Sequence, residues 1–216
     1  MDIGARLAMQ FGEAHYAKGC RDDRARAVAS FRARFWYEDG QYLYDTIDGP
    51  DGHDTSIRPN QMYAISLCDD VLTNEQAKRV LEIIEHHLLT PVGVRTLSPH
   101  DARYCPRYEG GPLERDGAYH QGTVWPFLLG TFITSWIKTV GSTPENKTVA
   151  RSFLSGIEQH VHEACIGHIS EIFDGDPPHR PRGCPAQAWS MAEPLRALVE
   201  DLGLPITTFP ANSARI

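Results

Sequence analysis

Two stretches of the chain that lie 126 residues apart resemble each other, and this internal repeat restricts the folds open to the chain. DTIDGPDGHDTSIRPNQMYAIS begins at Asp45 and aligns with EIFDGDPPHRPRGCPAQAWSMA, which begins at Glu171. The identical pairs are Asp48/Asp174, Gly49/Gly175, His53/His179, Pro59/Pro185 and Gln61/Gln187, and Tyr63 falls on Trp189. Five identities over so short a stretch can arise by chance. A structural unit used twice is the interpretation that we favour.

Hydrophobic periodicity predicts seven helices, which alternate with loops of two kinds. The helical segments are about 3–14, 22–35, 58–67, 73–88, 122–140, 143–164 and 185–203. The first has an apolar stripe of Ile3, Leu7, Ala8, Phe11 and Ala14, the second is predicted to be capped by Asp22 or Asp23, and the seventh to end at Gly203. The fourth starts with a capping box from Thr73 to Gln76, and the fifth is apolar nearly all round, so it should be buried on most sides. Long loops containing the strand-like pieces YLYDTI, GVRTLS and HISEIF follow the second, fourth and sixth helices. The pattern predicts helical hairpins whose elaborate loops share one rim, where function usually lies.

Composition excludes several classes of protein. The net charge of −7 argues against a nucleic-acid or anionic-membrane partner, because both require a basic face. Five scattered cysteines without a CxxC pair are typical of reduced thiols in a cytoplasmic protein. No apolar run reaches the ~18 residues of a membrane span. The histidines lack the HExxH order and no phosphate loop is present, so we expect neither a metal nor a cofactor.

The predicted rim is rich in aromatic and amide side chains, which suit a sugar. Aromatic faces stack on the apolar C–H patches of a pyranose, and polar side chains hydrogen-bond its hydroxyls. Any one of these aromatic residues could instead be a core residue with a satisfied polar tip. As a set, they predict a binding site. The candidate substrate-binding residues are Arg58, Asn60, Gln61, Tyr108, Tyr119, His120, Gln121, Trp125, Gln187 and Trp189.

Glu171 is the candidate catalytic carboxylate. In a regular strand it would share one side with Ile169 and Phe173, while its neighbours faced the other way. A carboxylate among large apolar side chains needs either a partner or a chemical role, because burying a charge is costly. The alternative to catalysis is a structural salt bridge to Arg180 or Arg182.

Four long motifs in these loops resemble the C-terminal glucosidase domain of glycogen debranching enzymes, the amylo-α-1,6-glucosidase family. The motifs are DGHDTSIRPNQMYAISL, GVRTLSPHDARYCPRYEGG, RDGAYHQGTVWPFLLGTF and GHISEIFDGDPPHRPRGCPAQAWSMAEPLRAL. The resemblance runs from about Arg26 to Leu198. It implies an all-α fold, a partial (α/α)6 toroid of the six-hairpin glycosidase type, with residues 1–216 forming the C-terminal portion of one domain.

The resemblance also implies an activity and a mechanism. The family hydrolyses the α-1,6-linked glucose left at a glycogen branch point, so glycogen or its limit dextrin would be the substrate. One carboxylic acid protonates the leaving oxygen, and one carboxylate activates water for inversion, with the two groups about 6.5–9.5 Å apart. Glu171 matches the position of the family's general base.

The chain departs from the family at its N-terminal side. The family's general acid is an aspartate in a TWMDA-like motif, which is absent here. We therefore expect the domain to be truncated by about five helices and to need an N-terminal partner chain that supplies the acid. One alternative is a non-catalytic glucan-binding or assembly module left from the glucosidase. Another is a glucoamylase-like or trehalase-like hydrolase with Asp101 or Asp116 as its acid.

Overall fold

The computed structural model describes residues 1–205, so the last residues of the predicted domain, 206–216, lie outside the described part. The chain is mainly helical. The α-helices are α1 (Asp2–Gln10), α2 (Ala14–Arg34), α3 (Tyr63–Ser66), α4 (Asn74–His87), α5 (Pro112–Ala118), α6 (Leu128–Val140), α7 (Pro144–Ser152), α8 (Ser155–His160) and α9 (Ala188–Arg196). A 3-10 turn over Pro59–Met62 precedes α3, and a π-helical turn over Ala197–Asp201 follows α9.

The strands are short and form three antiparallel sheets. They are β1 (Trp36–Tyr37), β2 (Tyr42–Leu43), β3 (Thr46–Gly49), β4 (Gly52–Asp54), β5 (Leu89–Thr90), β6 (Gly93–Arg95), β7 (Val124–Trp125), β8 (Ile172–Phe173) and β9 (Pro181–Arg182). Strands β1 and β2 pair, β3 and β4 pair, and β5 to β9 form one five-stranded sheet in chain order. Two of the three strand-like pieces thus lie in one sheet, while YLYDTI contributes to the two separate hairpins.

Helix α6 is the centre of the core, as its apolar sequence predicted. Leu129, Phe132 and Ile133 are fully buried, and the helix packs against α3, α4, α7 and α9. It begins at Leu128 rather than Gly122, because Val124 and Trp125 pair in the sheet and Pro126 disfavours helical backbone before it. None of the helices within residues 1–205 has the length and apolar character that crossing a bilayer requires.

Helix α2 is longer than the sequence pattern indicated. It starts at Ala14, so Asp22 and Asp23, the predicted caps, lie inside it. Both carboxylates pair along the exposed helix surface, Asp22 with Lys18 at 2.5 Å and Asp23 with Arg26. Acidic residues spaced three or four positions from a basic residue support a helix interior as readily as they cap one. The prediction of caps at these positions was therefore wrong.

The predicted stripe of α1 does not face the core. Ile3, Leu7, Phe11 and Ala14 of the stripe are exposed, and Ala8 is its one buried member, beside Ala5 from outside the stripe. Alanines allow the close approach of α1 and α2, which pack on each other. The larger side chains therefore remain on the outer surface of residues 1–205.

The two copies of the repeat have similar local structure. In each, an antiparallel hairpin (β3–β4 or β8–β9) leads into a helical turn with its glutamine at the start, Gln61 or Gln187. The main-chain N–H of Asp45 donates to Asp54 at the end of β4 at 2.9 Å, and that of Glu171 donates to Cys184, two residues after β9, at 2.8 Å. This correspondence favours a shared structural unit over chance identity.

Removal of the capping box should destabilise the chain measurably. Thr73 Oγ1 accepts from Gln76 N–H, and the Gln76 side chain accepts from Thr73 N–H. We expect Thr73→Ala to lower the free energy of unfolding by about 1 kcal/mol, measured by urea denaturation. Thr148→Ala is the control, since Thr148 bonds only a carbonyl of its own helix and alanine is the better helix former. Equal losses in the two variants would contradict the assigned cap.

Candidate active site

The five-stranded sheet brings the predicted rim loops to one place. Val94 of β6 lies opposite Trp125 of β7, and Val124 lies opposite Phe173 of β8. Strand β8 also pairs with β9, so residues around 94, 124, 172 and 182 are neighbours across one small surface. Glu171 immediately precedes β8 and is half-buried at the edge of this surface.

Neutral hydrogen-bond donors surround the Glu171 carboxylate. The Tyr119 hydroxyl donates to Oε1, and the Gln187 side-chain amide donates to the same oxygen at 3.3 Å. The main-chain N–H of Cys184 donates to Oε2 at 2.9 Å. Among the described residues, no ion pair involves Glu171. The carboxylate is therefore oriented but not neutralised.

Glu171 does not form the alternative salt bridge to Arg182, because Arg182 pairs with another carboxylate. Arg182 Nη2 lies 3.0 Å from Asp174 Oδ2 and 3.4 Å from Glu109 Oε2. Asp174 is buried, and its Oδ1 also accepts from Tyr108 N–H at 3.1 Å. The ion pair that was the alternative to a catalytic Glu171 is thus found at Asp174, three residues later.

Strand alternation also fails around Glu171. Ile169, Ser170, Ile172 and Phe173 are all buried, although alternation would place them on opposite sides. The cause is that β8 is an inner strand of the sheet, covered on both faces, and is only two residues long. Glu171 precedes the strand and is therefore only half-buried.

Aromatic rings form a continuous cluster beside Glu171. Tyr119 contacts Tyr108 with ring centroids 5.5 Å apart, and it meets Trp125 at 4.9 Å. His120 stacks on Trp125, which in turn contacts Trp189 edge-on at 5.7 Å. Five predicted sugar-binding residues are therefore brought together. Trp125 is only 3% exposed, so it supports the other rings from beneath.

A second group of predicted residues surrounds Arg58. Its guanidinium donates to the main-chain oxygens of Thr96 and His120 at 3.0 and 2.8 Å, and to Gln121 Oε1 at 2.6 Å. Asn60 donates to Asp45 Oδ1 at 2.8 Å. The contact with His120 joins this group to the aromatic cluster.

Gln61 has a different environment from its repeat partner Gln187. It is buried, its Nε2 donates to the Arg58 carbonyl, and its Oε1 accepts from Leu43 N–H. Gln187 is half-buried and reaches Glu171. Gln61 thus hydrogen-bonds the main chain in the first copy, whereas Gln187 hydrogen-bonds the Glu171 carboxylate in the second.

Two cavities adjoin these residues. One of about 470 Å³ lies beside α2 and has Asp45, Arg58 and Asn60 among its polar lining. The other, of about 510 Å³, is lined by Tyr63, Phe127, Trp189, Glu193 and Arg196, with other side chains of α3 and α6. Glu171 is not one of the described residues that line these two cavities. The sugar-binding candidates therefore border open surface as well as enclosed space.

Several residues of the site were not identified from the sequence. Asp174, Arg182, Gly183 and Cys184 all contact Glu171 or its loop. The repeat contained one signal, because Asp174 matches Asp48, but nothing in the pattern distinguishes the buried copy from the exposed one. A main-chain donor such as Cys184 N–H has no residue-type signature at all.

The phenol of Tyr119 provides a test of this geometry. Burial raises its pKa, and the hydrogen bond to the Glu171 anion raises it further. Replacement of Glu171 by glutamine removes the negative charge that opposes phenolate formation. We therefore expect Glu171→Gln to lower the pKa of Tyr119 towards that of an ordinary tyrosine, while burial keeps it partly raised. Titration of 13Cζ-tyrosine by NMR measures this, with Tyr119→Phe assigning the signal. An unchanged pKa would contradict the contact.

An oriented carboxylate that has no cationic partner among the described residues lies beside clustered aromatic rings and amides, a set of groups that suits a carbohydrate. Comparison with known proteins agrees. Residues 11–196 match the amylo-alpha-1,6-glucosidase family. The chain therefore belongs to the amylo-alpha-1,6-glucosidase family, and the predicted glycoside hydrolase class is confirmed. It is also 29% identical over 161 residues to the glycogen debranching enzyme of Saccharomyces cerevisiae. That alignment covers 64% of this chain and 10% of the yeast protein.

Proposed function

We propose that the chain carries the general-base half of an inverting α-1,6-glucosidase site that acts in glycogen debranching. The observation that carries this proposal is the state of Glu171, which has three neutral donors and no described ion pair. A structural carboxylate in the same loop, Asp174, is instead neutralised by Arg182. The contrast favours a chemical role for Glu171. The substrate is glycogen or its limit dextrin, in keeping with the family.

The described residues leave one acceptor site of the proposed base without a donor. A carboxylate offers about four lone-pair sites, two on each oxygen. Tyr119 and Gln187 occupy those of Oε1, and Cys184 N–H occupies one of Oε2. The remaining lone pair of Oε2 accepts a proton from the attacking water. Inversion requires this water to fit between Glu171 and an acid about 6.5–9.5 Å away.

The sugar contacts divide into two kinds. Tyr108, His120 and Trp189 present aromatic rings to the pyranose, and Trp125 supports them. The polar contacts come from the group around Arg58, where Asn60 is exposed. Tyr119 and Gln187 are assigned to the site because they hydrogen-bond Glu171. Gln61 and Gln121 are assigned to it because they hydrogen-bond Arg58. All of these assignments are proposals drawn from the family and from this geometry.

The general acid comes from outside this chain in the proposal. An acid catalyst must hold its proton near neutral pH. Asp101 is unsuited, since hydrogen bonds from Arg103 lower its pKa to about 2. Asp45 Oδ1 accepts from the Asn60 amide at 2.8 Å and its Oδ2 lies 3.7 Å from Arg58 Nε, so both carboxylate oxygens contact side chains of this chain. Asp116 is exposed on α5, and no described hydrogen bond or ion pair links its carboxylate to Glu171. The environment of Asp101 disfavours it as the acid, and the missing TWMDA-like motif favours an acid supplied from outside this chain.

Residues 1–216 would then form part of an (α/α)6 toroid, with α3, α6 and α9 among its inner helices. The exposed apolar side chains Ile3, Leu7 and Phe11 support the expectation of further helices, supplied by an N-terminal partner chain or by more of the same protein. Their exposure would fall when the toroid is complete.

The test is glucose release from a branched limit dextrin. We expect none from this chain alone, and release of β-glucose when it is co-purified with an N-terminal toroid segment of the family that contains the TWMDA-like motif. Linear maltodextrin is the control substrate and should yield little glucose. Co-elution of the two chains in size-exclusion chromatography verifies assembly. An assembled complex without glucose release would contradict the proposal.

A second candidate function is a non-catalytic glucan-binding or assembly module. The missing TWMDA-like motif favours it, because in the family that motif supplies the general acid. It predicts that the chain binds glycogen in sedimentation assays, that Trp189→Ala weakens this binding, and that the assembled complex releases no glucose.

A further inference from the structure

Gly183 and Cys184, directly after β9, form a corner of the main chain that packs against Glu171. Glu171 N–H donates to the Cys184 carbonyl at 2.8 Å, and Cys184 N–H donates to Glu171 Oε2 at 2.9 Å. The corner therefore holds both the main chain and the carboxylate of Glu171. This reciprocal pair restricts the side chain to one orientation.

Gly183 leaves space for the carboxylate that no other residue would leave. Its φ is +66°, a conformation that L residues rarely adopt. A Cβ on Gly183 would lie 2.4 Å from Glu171 Oε2, and 3.2 Å from both Cβ and Cδ of Glu171. Since 2.4 Å is well below contact distance, a larger residue at this position must displace either the carboxylate or the corner.

The opposite oxygen is held by a rigid partner. The ring of Tyr119 packs between Tyr108 and Trp125, so its hydroxyl has a fixed position. This hydroxyl and the Gln187 amide bind Oε1. The Glu171 side chain is thus confined between the aromatic cluster and the Gly183–Cys184 corner.

We propose that Gly183 is a positioning residue for the general base: its missing side chain and left-handed backbone set the orientation of the Glu171 carboxylate. This rests on the proposed role of Glu171 as the base. A displacement of about 1 Å at a reacting group can cost about 100-fold in rate. Gly183 contributes through Glu171, without contact to the substrate.

The first experiment compares Gly183→Ala with Gly167→Ala. Gly167 is the matched control, because its φ is +83° and a Cβ there would meet nothing within 4 Å. Both variants carry similar backbone strain, and only one collides with Glu171. With 13Cδ-labelled glutamate, the Glu171 signal, assigned by its loss in Glu171→Gln, should move in Gly183→Ala and stay in Gly167→Ala. A Glu171 signal unmoved in Gly183→Ala would overturn the proposal.

A double variant covers the case in which Gly183→Ala does not fold. If the collision is with the carboxylate, Glu171→Ala should restore folding to Gly183→Ala, as measured by the thermal midpoint. It should not improve Gly167→Ala. Lack of rescue would count against the proposal, because the damage would then come from backbone strain alone.

Turnover separates this inference from the proposed function. In the assembled enzyme, Gly183→Ala should lower kcat about 100-fold with KM little changed, whereas Gly167→Ala should retain activity. A moved Glu171 signal with no glucose release from the assembled wild type would support the positioning role and contradict the glucosidase proposal. A moved signal with unchanged kcat would overturn Gly183 as a positioning residue for catalysis.

Discussion

Glu171→Gln should lower kcat for glucose release by about 10²–10⁴ in the assembled enzyme, with KM little affected. Glutamine has nearly the same shape, but its amide cannot take a proton from water. The fold should be retained, because the partners of Glu171 are neutral donors and no described cation loses its counter-charge. Steady-state glucose release and circular dichroism measure the two expectations.

Glu163→Gln is the matched control for this substitution. Glu163 is exposed eight residues upstream, and its carboxylate accepts from the Gln159 amide. Its kcat should equal that of the wild type. If Glu171→Gln unfolded while Glu163→Gln did not, the carboxylate would have a structural role and the general-base assignment would be wrong.

Asp174→Asn should lower the free energy of unfolding by about 2–3 kcal/mol. Asp174 is 6% exposed and receives hydrogen bonds from both Arg182 and the main chain of Tyr108. Loss of its charge leaves the guanidinium partly desolvated without its main partner. Because the side chain of Arg182 is 26% exposed, we expect less than the full cost of breaking a buried pair. Urea denaturation followed by circular dichroism measures the loss.

Asp48→Asn is the control that the repeat provides. Asp48 occupies the matching position in the first copy, but it is exposed, and within residues 1–205 its one ion pair is with Arg34 at the surface. Exposed ion pairs contribute little, so its unfolding midpoint should not change. Equal destabilisation by the two substitutions would show that burial is not what distinguishes the copies.

Part of the site could be predicted because family motifs and residue types carry it. Glu171 and the aromatic residues of the rim were predicted from the sequence and lie together in the structure, and their roles in catalysis and binding stay predictions. Their mutual contacts were not, since Tyr119 and Glu171 are 52 residues apart and meet only through the sheet. The salt bridge considered as the alternative role of Glu171 forms at Asp174 instead, because Glu171 and Asp174 are both close to Arg182 in sequence and only burial distinguishes them.

The sequence by itself determined the features that depend on neighbouring residues. Local hydrogen bonding determines the capping box at Thr73, and side-chain periodicity determines the buried helix α6. Backbone sterics account for the left-handed Gly203 (φ +76°), which follows the π-helical turn after α9. Tertiary structure alone decided the five-stranded sheet, the exposed stripe of α1 and the close approach of Gly183 to Glu171. These features depend on which distant segments pack together and exclude water. Short strands and single glycines contribute too little local free energy to specify that packing.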